Sequence, residues 1–304
     1  MQKISVAIVG WGNIGRACKR AISECSDMVL AGVVRRASSI GQGDDDPDLM
    51  NTKVVSDITK LKKVDVALLC IPSREVPQRI REYHALKICT VDSFDEHQRI
   101  AGLRRELDVT AKVKKVVSIM AAGWDPGTDS LIRALMRVVS LTGHSTTTFG
   151  GEKGGRSMGH TVQVKMIPGV KDAVALTLAN GRGKQKRRVY VELEKGADLA
   201  EIEQAVLADP YFKMDPTEII VVKSIHPYNT LNHSAKIERT GMEVNQTYTV
   251  EGINPEFTAN IMVSSVRACM SAYNKGEYGT YTFIERPIIE YLPGITIEDK
   301  LEGY

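Results

Sequence analysis

The sequence is poor in cysteine and has no long apolar run. Its five cysteines are odd in number and form no C-x-x-C pair, which argues against a disulfide framework and against a zinc site. No apolar stretch approaches the roughly 20 residues that span a bilayer. The N-terminus leads directly into a predicted strand, so we expect no signal peptide. These features favour a reducing, cytoplasmic setting.

An excess of charge of one sign is also lacking. The 304 residues include 40 Lys and Arg and 37 Asp and Glu, a net charge of +3. This charge is too small and too evenly spread to predict a nucleic-acid partner, and a solvated loop explains the one dense basic run, residues 182–188. His, Cys and carboxylate residues show no metal-ligand spacing, so we expect no metal.

Short apolar runs alternate with helical patterns in the first part of the chain. The runs cover residues 4–9, 28–34, 64–71, 88–91 and 116–120. Runs of this length between helices predict a parallel sheet buried on both faces, and hence an α/β, Rossmann-type domain.

Consecutive strand-like segments replace this alternation after residue 124. They cover residues 145–149, 173–178, 188–193, 219–225, 235–239 and 247–250, with one predicted helix, 199–207, among them. Such a series predicts an α+β domain with a mixed or antiparallel sheet. A helix at 257–273 and a strand at 281–285 follow. We therefore expect residues 1–122, completed by 255–304, to form one domain and residues 123–254 a second.

A G-x-G-x-x-G motif lies between the first predicted strand and a helix. It consists of Gly10, Trp11, Gly12, Asn13, Ile14 and Gly15. In this context the motif predicts dinucleotide binding. Gly10 permits the tight turn, Gly12 lets the backbone approach a pyrophosphate, and Gly15 lets the helix pack close to the strand. The alternative is a structural glycine turn without a ligand.

The second predicted strand indicates which dinucleotide binds. Enzymes that use NAD usually end this strand with a carboxylate, but here Arg35 and Arg36 follow it. Two guanidinium groups suit a 2′-phosphate, so the sequence predicts NADP, with two surface arginines as the alternative. We expect further cofactor contacts at the ends of the later strands: Cys70, Ile71, Pro72, Ser73, Val91, Asp92, Ala122, Gly123, Asp125 and Pro126.

Three further motifs carry a family resemblance. They are Val-Asp-Ser-Phe-Asp-Glu-His at 91–97, Ala-Gly-Trp-Asp-Pro-Gly at 122–127, and Met-Gly-His at 158–160 leading to Ile-Pro-Gly-Val at 167–170. Together with the glycine motif and the two arginines, they resemble meso-diaminopimelate D-dehydrogenase, and the resemblance continues in order through residues 291–294. It implies a homodimer that oxidatively deaminates the D-centre of meso-diaminopimelate with NADP in lysine biosynthesis, with residues 123–254 as the substrate-binding and dimerisation domain.

Asp92 and Asp125 are the catalytic candidates. Each follows a predicted strand at the carboxyl edge of the sheet, where ligands bind, and each suits the reacting ammonium group. Either carboxylate, or water, could accept the substrate's proton. The resemblance adds pocket and carboxylate-binding residues to the substrate site: Trp124, Phe149, Met158, Gly159, Thr177, Arg187, His233 and Asn254.

Some of these residues also have structural interpretations. Asp125 precedes a proline and could cap the following helix, while His233 could be a surface histidine. Residues 150–157, which follow Phe149, form a longer and more charged segment than the family's short loop, and this is where the sequence departs from the family pattern.

Two other functions remain open. One is another lysine-pathway NADP(H) reductase, either dihydrodipicolinate reductase-like or a semialdehyde dehydrogenase, which would need a nucleophilic cysteine. The other is a non-catalytic NADP(H)-binding sensor, in which paired Asp92 and Asp125 would have no purpose.

Overall fold

The protein is described here from a computed structural model, which covers residues 3–41, 46–150, 154–229, 232–294 and 297–301. The chain divides into two compact units, Met1–Leu131 with Pro255–Tyr304 and Ile132–Asn254. The division falls between residues 131 and 132, inside a helix, whereas the sequence prediction placed it at residue 122. None of the helices in the described part of the chain is long and apolar enough to cross a membrane.

The chain begins with alternating strands and helices. In order, these are β1 (Ile4–Val9), α1 (Asn13–Ser23), β2 (Met28–Val34), β3 (Val54–Val55), β4 (Val66–Leu69), α2 (Val76–Ala85), β5 (Cys89–Asp92), α3 (His97–Lys114), β6 (Val117–Met120) and α4 (Thr128–Val139).

The second unit is rich in strands. Its elements after α4 are β7 (His144–Phe149), β8 (Gly155–Arg156), α5 (Met158–Lys165), β9 (Val170–Ala179), β10 (Gln185–Leu193), α6 (Leu199–Ala208), β11 (Thr217–Val221), β12 (Asn232–Thr240) and β13 (Asn245–Ile253). The chain then returns to the first unit through α7 (Asn254–Asn274), β14 (Gly279–Thr282) and α8 (Ile297–Leu301).

The first unit contains a parallel sheet with helices on both faces. The strand order is β14-β6-β5-β4-β1-β2-β3. In β4, Leu68 packs in the apolar cluster that includes α1 and α7, while Leu69 packs with α2 and α3 on the opposite face. Both faces of the strand are buried, as a continuous apolar run requires. The predicted α/β, Rossmann-type domain is therefore confirmed.

The second unit contains two sheets. One is mixed, with order β11-β10-β9-β8, and the other is antiparallel, with order β13-β12-β7. Buried residues of β9 and β10 pack against α5 and α6. The predicted α+β architecture with mixed or antiparallel strands is confirmed.

Three helices, α4, α5 and α8, lie outside the segments predicted as helical. The sequence of α5 contains Gly159 and three β-branched residues, all poor helix formers. Tertiary contacts stabilise it, since Thr161 and Val164 are buried and the Thr161 hydroxyl accepts from Ala175 N at 3.0 Å. Helix α4 has apolar and polar residues on opposite faces, a pattern that is typical of a surface helix.

Two assigned segments were misplaced. The last strand is Gly279–Thr282, and residues 283–285, predicted as strand, form a 3-10 turn capped by Thr282. The basic run is a solvated loop only in part: residues 182–184 are exposed, but Gln185–Leu193 is a strand in which Arg187 is buried. Residues 151–153 of the unusual loop lie outside the described residues.

Candidate active site

The glycine motif forms the turn between β1 and α1. Gly10 has a φ of +96°, a left-handed conformation that disfavours side chains, and a Cβ there would collide with the carbonyl of Cys70. A Cβ on Gly15 would collide with the carbonyl of Gly10, whereas a Cβ on Gly12 would meet nothing within 4 Å. The fold therefore requires glycine at the first and last positions, while the backbone at the middle position faces open space.

The first turn of α1 is suited to an anion. Its N-cap, Gly12, provides no side-chain cap, and the turn holds no acidic residue. The first hydrogen bond of the helix runs from Arg16 N to Gly12 O at 3.0 Å. The N–H groups of Asn13, Ile14 and Gly15 therefore have no acceptor within the helix. These donors, at the positive end of the helix, fit the pyrophosphate of a dinucleotide.

Trp11 is held by a residue that was not predicted. Its indole Nε1 donates to Asp46 Oδ2 at 2.8 Å. Arg16 forms an ion pair with the same carboxylate and lies over the indole ring, 5.4 Å from its centroid. Trp11 and Asp46 are 35 positions apart in the chain, so local sequence patterns do not reveal this contact.

The end of β2 lies beside the glycine turn. Gly10 N donates to Val34 O at 2.9 Å, and Arg35 N donates to Val55 O at 2.9 Å. Arg35 is half-buried and Arg36 is exposed. Because no carboxylate directly follows the strand, the two guanidinium groups fit a 2′-phosphate.

Residues 70–73 lie at the carboxyl edge of the sheet, next to the same turn. Cys70 N donates to Val9 O at 2.7 Å, which places the segment beside the end of β1. Ser73 Oγ donates to Asp95 Oδ1 at 2.6 Å and so joins the loops after β4 and β5. The predicted cofactor segment therefore occupies the edge where ligands bind in such sheets.

Asp92 is a buried carboxylate with one open oxygen. It ends β5 after Val91, and its Oδ1 accepts from Phe94 N at 2.9 Å and Ala121 N at 3.1 Å. Its Oδ2 is buried and has no hydrogen-bond partner among the residues that the structure describes. Burial raises the pKa of Asp92 to about 6, against the opposing effect of the two N–H donors. A cationic group at Oδ2 would stabilise the ionised form.

The loop after β6 presents Trp124 and Asp125. It begins at Ala122, whose N–H donates to the Asp92 carbonyl at 2.7 Å, and it is closed by a bond from Gly123 N to Pro126 O at 3.2 Å. Trp124 is 9% exposed, and its ring centroid lies 6.3 Å from that of Phe257 in α7.

Asp125 lies within reach of a histidine. The distance from Asp125 Oδ2 to His97 Nε2 is 4.0 Å, and the two side chains are 28% and 57% exposed. Helix α4 begins at Thr128, so the N-cap position belongs to Gly127 and not to Asp125.

In the second unit, Arg187 and Thr177 are cross-strand neighbours on β10 and β9. Arg187 Nη1 donates to Thr177 Oγ1, and both residues are buried. Asp215 binds the same guanidinium through Nε at 2.9 Å and Nη2 at 2.8 Å. Burial lowers the pKa of Arg187, and the Asp215 carboxylate opposes this shift. The cluster therefore holds a buried cation in a fixed orientation.

His233 lies beside this pair. Its ring stacks on Phe149 with centroids 6.1 Å apart. A Cβ on Gly155, which pairs with Thr177, would lie 2.8 Å from His233 Nδ1. Burial, together with the charge of Arg187, lowers the pKa of His233 to about 4, so the imidazole is neutral near pH 7. It is half-buried, which excludes the surface-histidine interpretation.

The start of α5 offers backbone donors in the same unit. The first N–H bonded inside the helix is that of Thr161, so the N–H groups of Met158 and Gly159 have no acceptor within it. Asn254 Nδ2 donates to Arg156 O at 3.0 Å, two residues before the helix.

His160, although part of a family motif, has a structural role. Its Nδ1 hydrogen-bonds the Ser157 hydroxyl at 2.7 Å and its Nε2 the Tyr211 carbonyl at 2.8 Å. Burial lowers the pKa of His160 to about 3, so the ring is a neutral core histidine.

Known proteins match this chain over nearly its whole length. A meso-diaminopimelate D-dehydrogenase from Bacteroides fragilis is 42% identical over 299 residues, 97% of each chain. The structure of a C. glutamicum DAP dehydrogenase in complex with DAP matches with a TM-score of 0.85 and 28% identity, covering 99% of each chain. An engineered D-amino acid dehydrogenase bound to NADP+ matches with a TM-score of 0.84 and 27% identity, also covering 99% of each chain. No family model matches.

Proposed function

The chain belongs to the family of meso-diaminopimelate D-dehydrogenases, and from that premise we propose how its residues carry out the reaction. It is an NADP-dependent amino acid dehydrogenase that oxidatively deaminates the D-centre of meso-2,6-diaminopimelate to L-2-amino-6-oxopimelate and ammonia. The predicted function and cofactor are confirmed. The alternatives, another lysine-pathway reductase or a silent sensor, find no support, and the thiol of Cys89 is buried at the start of β5.

The open oxygen of Asp92 is the observation that carries the proposed site. A buried carboxylate oxygen without a hydrogen-bond donor is energetically unfavourable. An ammonium group at this oxygen would supply both the hydrogen bond and the opposite charge. We assign the D-centre ammonium to Asp92 and Asp125, which follow neighbouring strands at the carboxyl edge of the sheet. Trp124 supplies an apolar wall beside them.

The cluster in the second unit suits the distal L-centre carboxylate. Arg187 is oriented by Asp215, so its guanidinium is fixed before a substrate arrives. Thr177 and the neutral imidazole of His233 add polar contacts, while Met158 and Gly159 offer backbone N–H donors. Phe149 stacks on the imidazole, and Asn254 adds an amide near the start of α5.

The cofactor contributes one step when it is bound, because NADP+ accepts the hydride from the D-centre carbon. The glycine turn and the first turn of α1 would bind its pyrophosphate, and Arg35 with Arg36 would bind its 2′-phosphate. The loops at residues 70–73, 91–92 and 122–126 would position the nicotinamide. Before hydride transfer, a carboxylate oxygen of Asp92 or Asp125 must hold the substrate's ammonium as it loses a proton.

We also propose that the enzyme is a cytoplasmic homodimer. Large apolar side chains are exposed on the second unit, including Leu135, Val138 and Leu141 at 61%, 73% and 82%. Exposed apolar residues grouped in and just after α4 mark a protein interface, and a second copy of the chain is the partner that we assign. All five cysteines are free, which suits a reducing compartment.

The decisive experiment is an absorbance assay for NADPH with pure diaminopimelate isomers. We expect turnover of the meso isomer with NADP+ and little or none of the L,L isomer, because the proposed reaction proceeds at a D-centre, which the L,L isomer lacks. Comparable turnover of both isomers would show that the distal contacts are misassigned. Absence of turnover with the meso isomer would contradict the activity itself.

A further inference from the structure

His97 belongs to the motif at residues 91–97, but no step described so far uses it. It is the first residue of α3, after the loop that carries Asp92. Its Nε2 lies 4.0 Å from Asp125 Oδ2. This distance is too long for a direct hydrogen bond, but one water molecule or a small side-chain rotation can bridge it.

The reaction requires a route for one proton. The substrate ammonium, NADP+ and water become the oxo product, an ammonium ion and NADPH, and the balance leaves one proton per turnover. The ammonium must lose that proton before the carbon can give up a hydride, since the nitrogen lone pair then forms the C=N bond. The C=N bond is hydrolysed by water afterwards. A proton must therefore leave the site for solvent in every cycle.

The three side chains form a gradient of exposure. Asp92 is fully buried, the Asp125 side chain is 28% exposed, and the His97 side chain is 57% exposed. Asp92 itself has no surface in contact with solvent. A proton taken up at Asp125 lies next to an imidazole that reaches solvent.

Two other carboxylates, those of Asp95 and Glu96, flank His97 in the sequence, and each has a polar partner. The backbone carbonyl of Asp95 accepts a hydrogen bond from His97 N at 3.0 Å. The carboxylate of Asp95 accepts a hydrogen bond from the Ser73 hydroxyl. Glu96 forms an ion pair with Arg99 at 2.6 Å. Asp125, from the loop after β6, is therefore the carboxylate best placed to exchange a proton with His97.

We propose that His97 relays the substrate's proton from Asp125 Oδ2 to solvent. The inference rests on the proposed role of Asp125 in the dehydrogenase reaction. In the deaminating direction Asp125 receives the proton from the D-centre ammonium, and the imidazole takes it at Nε2. The other ring nitrogen then releases a proton to water. In the reverse direction the same groups deliver it. Imidazole suits this task because it exchanges protons near neutral pH.

The test is His97→Gln, with NADPH formation followed in a single turnover at several pH values. We expect the rate to fall at least tenfold while NADP+ and substrate affinities stay near those of the parent, since proton transfer by a positioned side chain contributes at least this much. Free imidazole in the buffer should restore part of the rate. His144→Gln, an exposed histidine in the second unit, is the matched control and should change nothing.

The double variant His97→Gln/Asp125→Asn separates a relay from a structural effect. If His97 acts through Asp125, its loss should add little to the loss already caused by Asp125→Asn. A His97→Gln enzyme with the parental rate and pH profile would overturn the relay, and so would a slow variant that imidazole does not rescue. Either of these two results would overturn the relay but not the proposed function, because the parent enzyme would still turn over the meso isomer. A parent enzyme that does not turn over the meso isomer would overturn both the relay and the proposed function.

Discussion

At the scale of single residues, the buried charge of Asp92 lowers the stability of the folded protein at a position proposed to bind the substrate ammonium. Burial raises its pKa from 3.8 to about 6. An acid with a raised pKa in the folded state costs stability above that pKa, and the cost fades as the pH falls toward the unfolded value. At about 1.4 kcal/mol per pKa unit, ionised Asp92 destabilises the free enzyme by an amount on the order of 3 kcal/mol near neutral pH.

We therefore predict that Asp92→Asn is more stable than the parent and nearly inactive. The amide oxygen can still accept from Phe94 N and Ala121 N, but no charge is buried. The ligand-free variant should melt roughly 5 °C higher at pH 7.5, and the difference should vanish near pH 4. Thermal melts across this pH range, beside the NADPH assay, provide the measurement.

Asp108→Asn is the control for this prediction, because it should change the melting temperature in the opposite direction. Burial raises the pKa of Asp108, but Lys112 and the backbone of Thr280 outweigh it and lower the value. Its ionised form is therefore stabilising above the unfolded pKa, and the substitution should reduce the melting temperature at pH 7.5. An Asp92→Asn variant that melts below the parent at this pH would contradict the account of Asp92.

Arg35 and Arg36 should determine the choice between NADP+ and NAD+. Changing both to Gln removes two charge-assisted contacts to the 2′-phosphate, a loss on the order of 3 kcal/mol, or roughly a hundredfold in affinity. NAD+ lacks this phosphate, so its binding should change little. Titration with both cofactors measures the effect, and Arg105→Gln, an exposed arginine on α3, is the control for net charge. Equal affinity of the parent for both cofactors would refute the assignment.

At the scale of elements, different glycines of the β1–α1 turn serve folding and cofactor binding. A methyl group at Gly15 would meet the Gly10 carbonyl and would also lie 3.4 Å from Ile8 Cγ2, whereas one at Gly12 would meet nothing within 4 Å. Gly15 therefore serves the packing of α1 on β1, while Gly12 leaves room for a pyrophosphate.

The two substitutions should therefore have different effects. Gly12→Ala should melt like the parent yet bind NADP+ at least tenfold more weakly, because its methyl group occupies the space of the ligand. Gly15→Ala should lose both stability and cofactor binding, because α1 is pushed from the sheet. Thermal melts and NADP+ titrations distinguish the two, and normal NADP+ binding by Gly12→Ala would show that the cofactor lies elsewhere.

At the scale of the whole molecule, the exposed apolar residues of the second unit are the feature to test. Those near the end of α4 lie close to the β12–β13 sheet, since Gln246 Nε2 donates to Met136 O at 2.8 Å and Arg239 binds Ser140 O. Met242, in the turn between β12 and β13, is 90% exposed. Such a surface is costly in a monomer unless another chain covers it.

We predict that Val138→Glu disrupts the proposed dimer and leaves the protein monomeric. A charge placed in the centre of an apolar interface is left without a partner and is strongly unfavourable there. Val113→Glu is the matched control, because Val113 on α3 is 74% exposed against 73% for Val138 but lies in the first unit. Light scattering after gel filtration measures the mass, and a monomeric parent would contradict the dimer.

The sequence alone predicted the architecture, which the structure confirms, and proposed residues for the cofactor site, because both inferences depend on short-range patterns. Apolar runs bounded by helices specify a buried parallel sheet, and a glycine motif followed 20 residues later by arginines specifies a phosphate-binding turn. All six residues of that motif and both arginines lie where the pattern placed them, around the ends of β1 and β2.

Only the tertiary structure decided how the distal cluster is assembled. Asp215 meets Arg187 because β10 and β11 are parallel neighbours, and 28 residues of chain separate the two side chains. His233 meets Phe149 because β12 pairs with β7. The pattern of a single strand shows which residues alternate in and out, but it does not say which strand will lie beside it. The buried charge of Asp92 and the closeness of His97 to Asp125 depend on such pairings, so no local signal could reveal them.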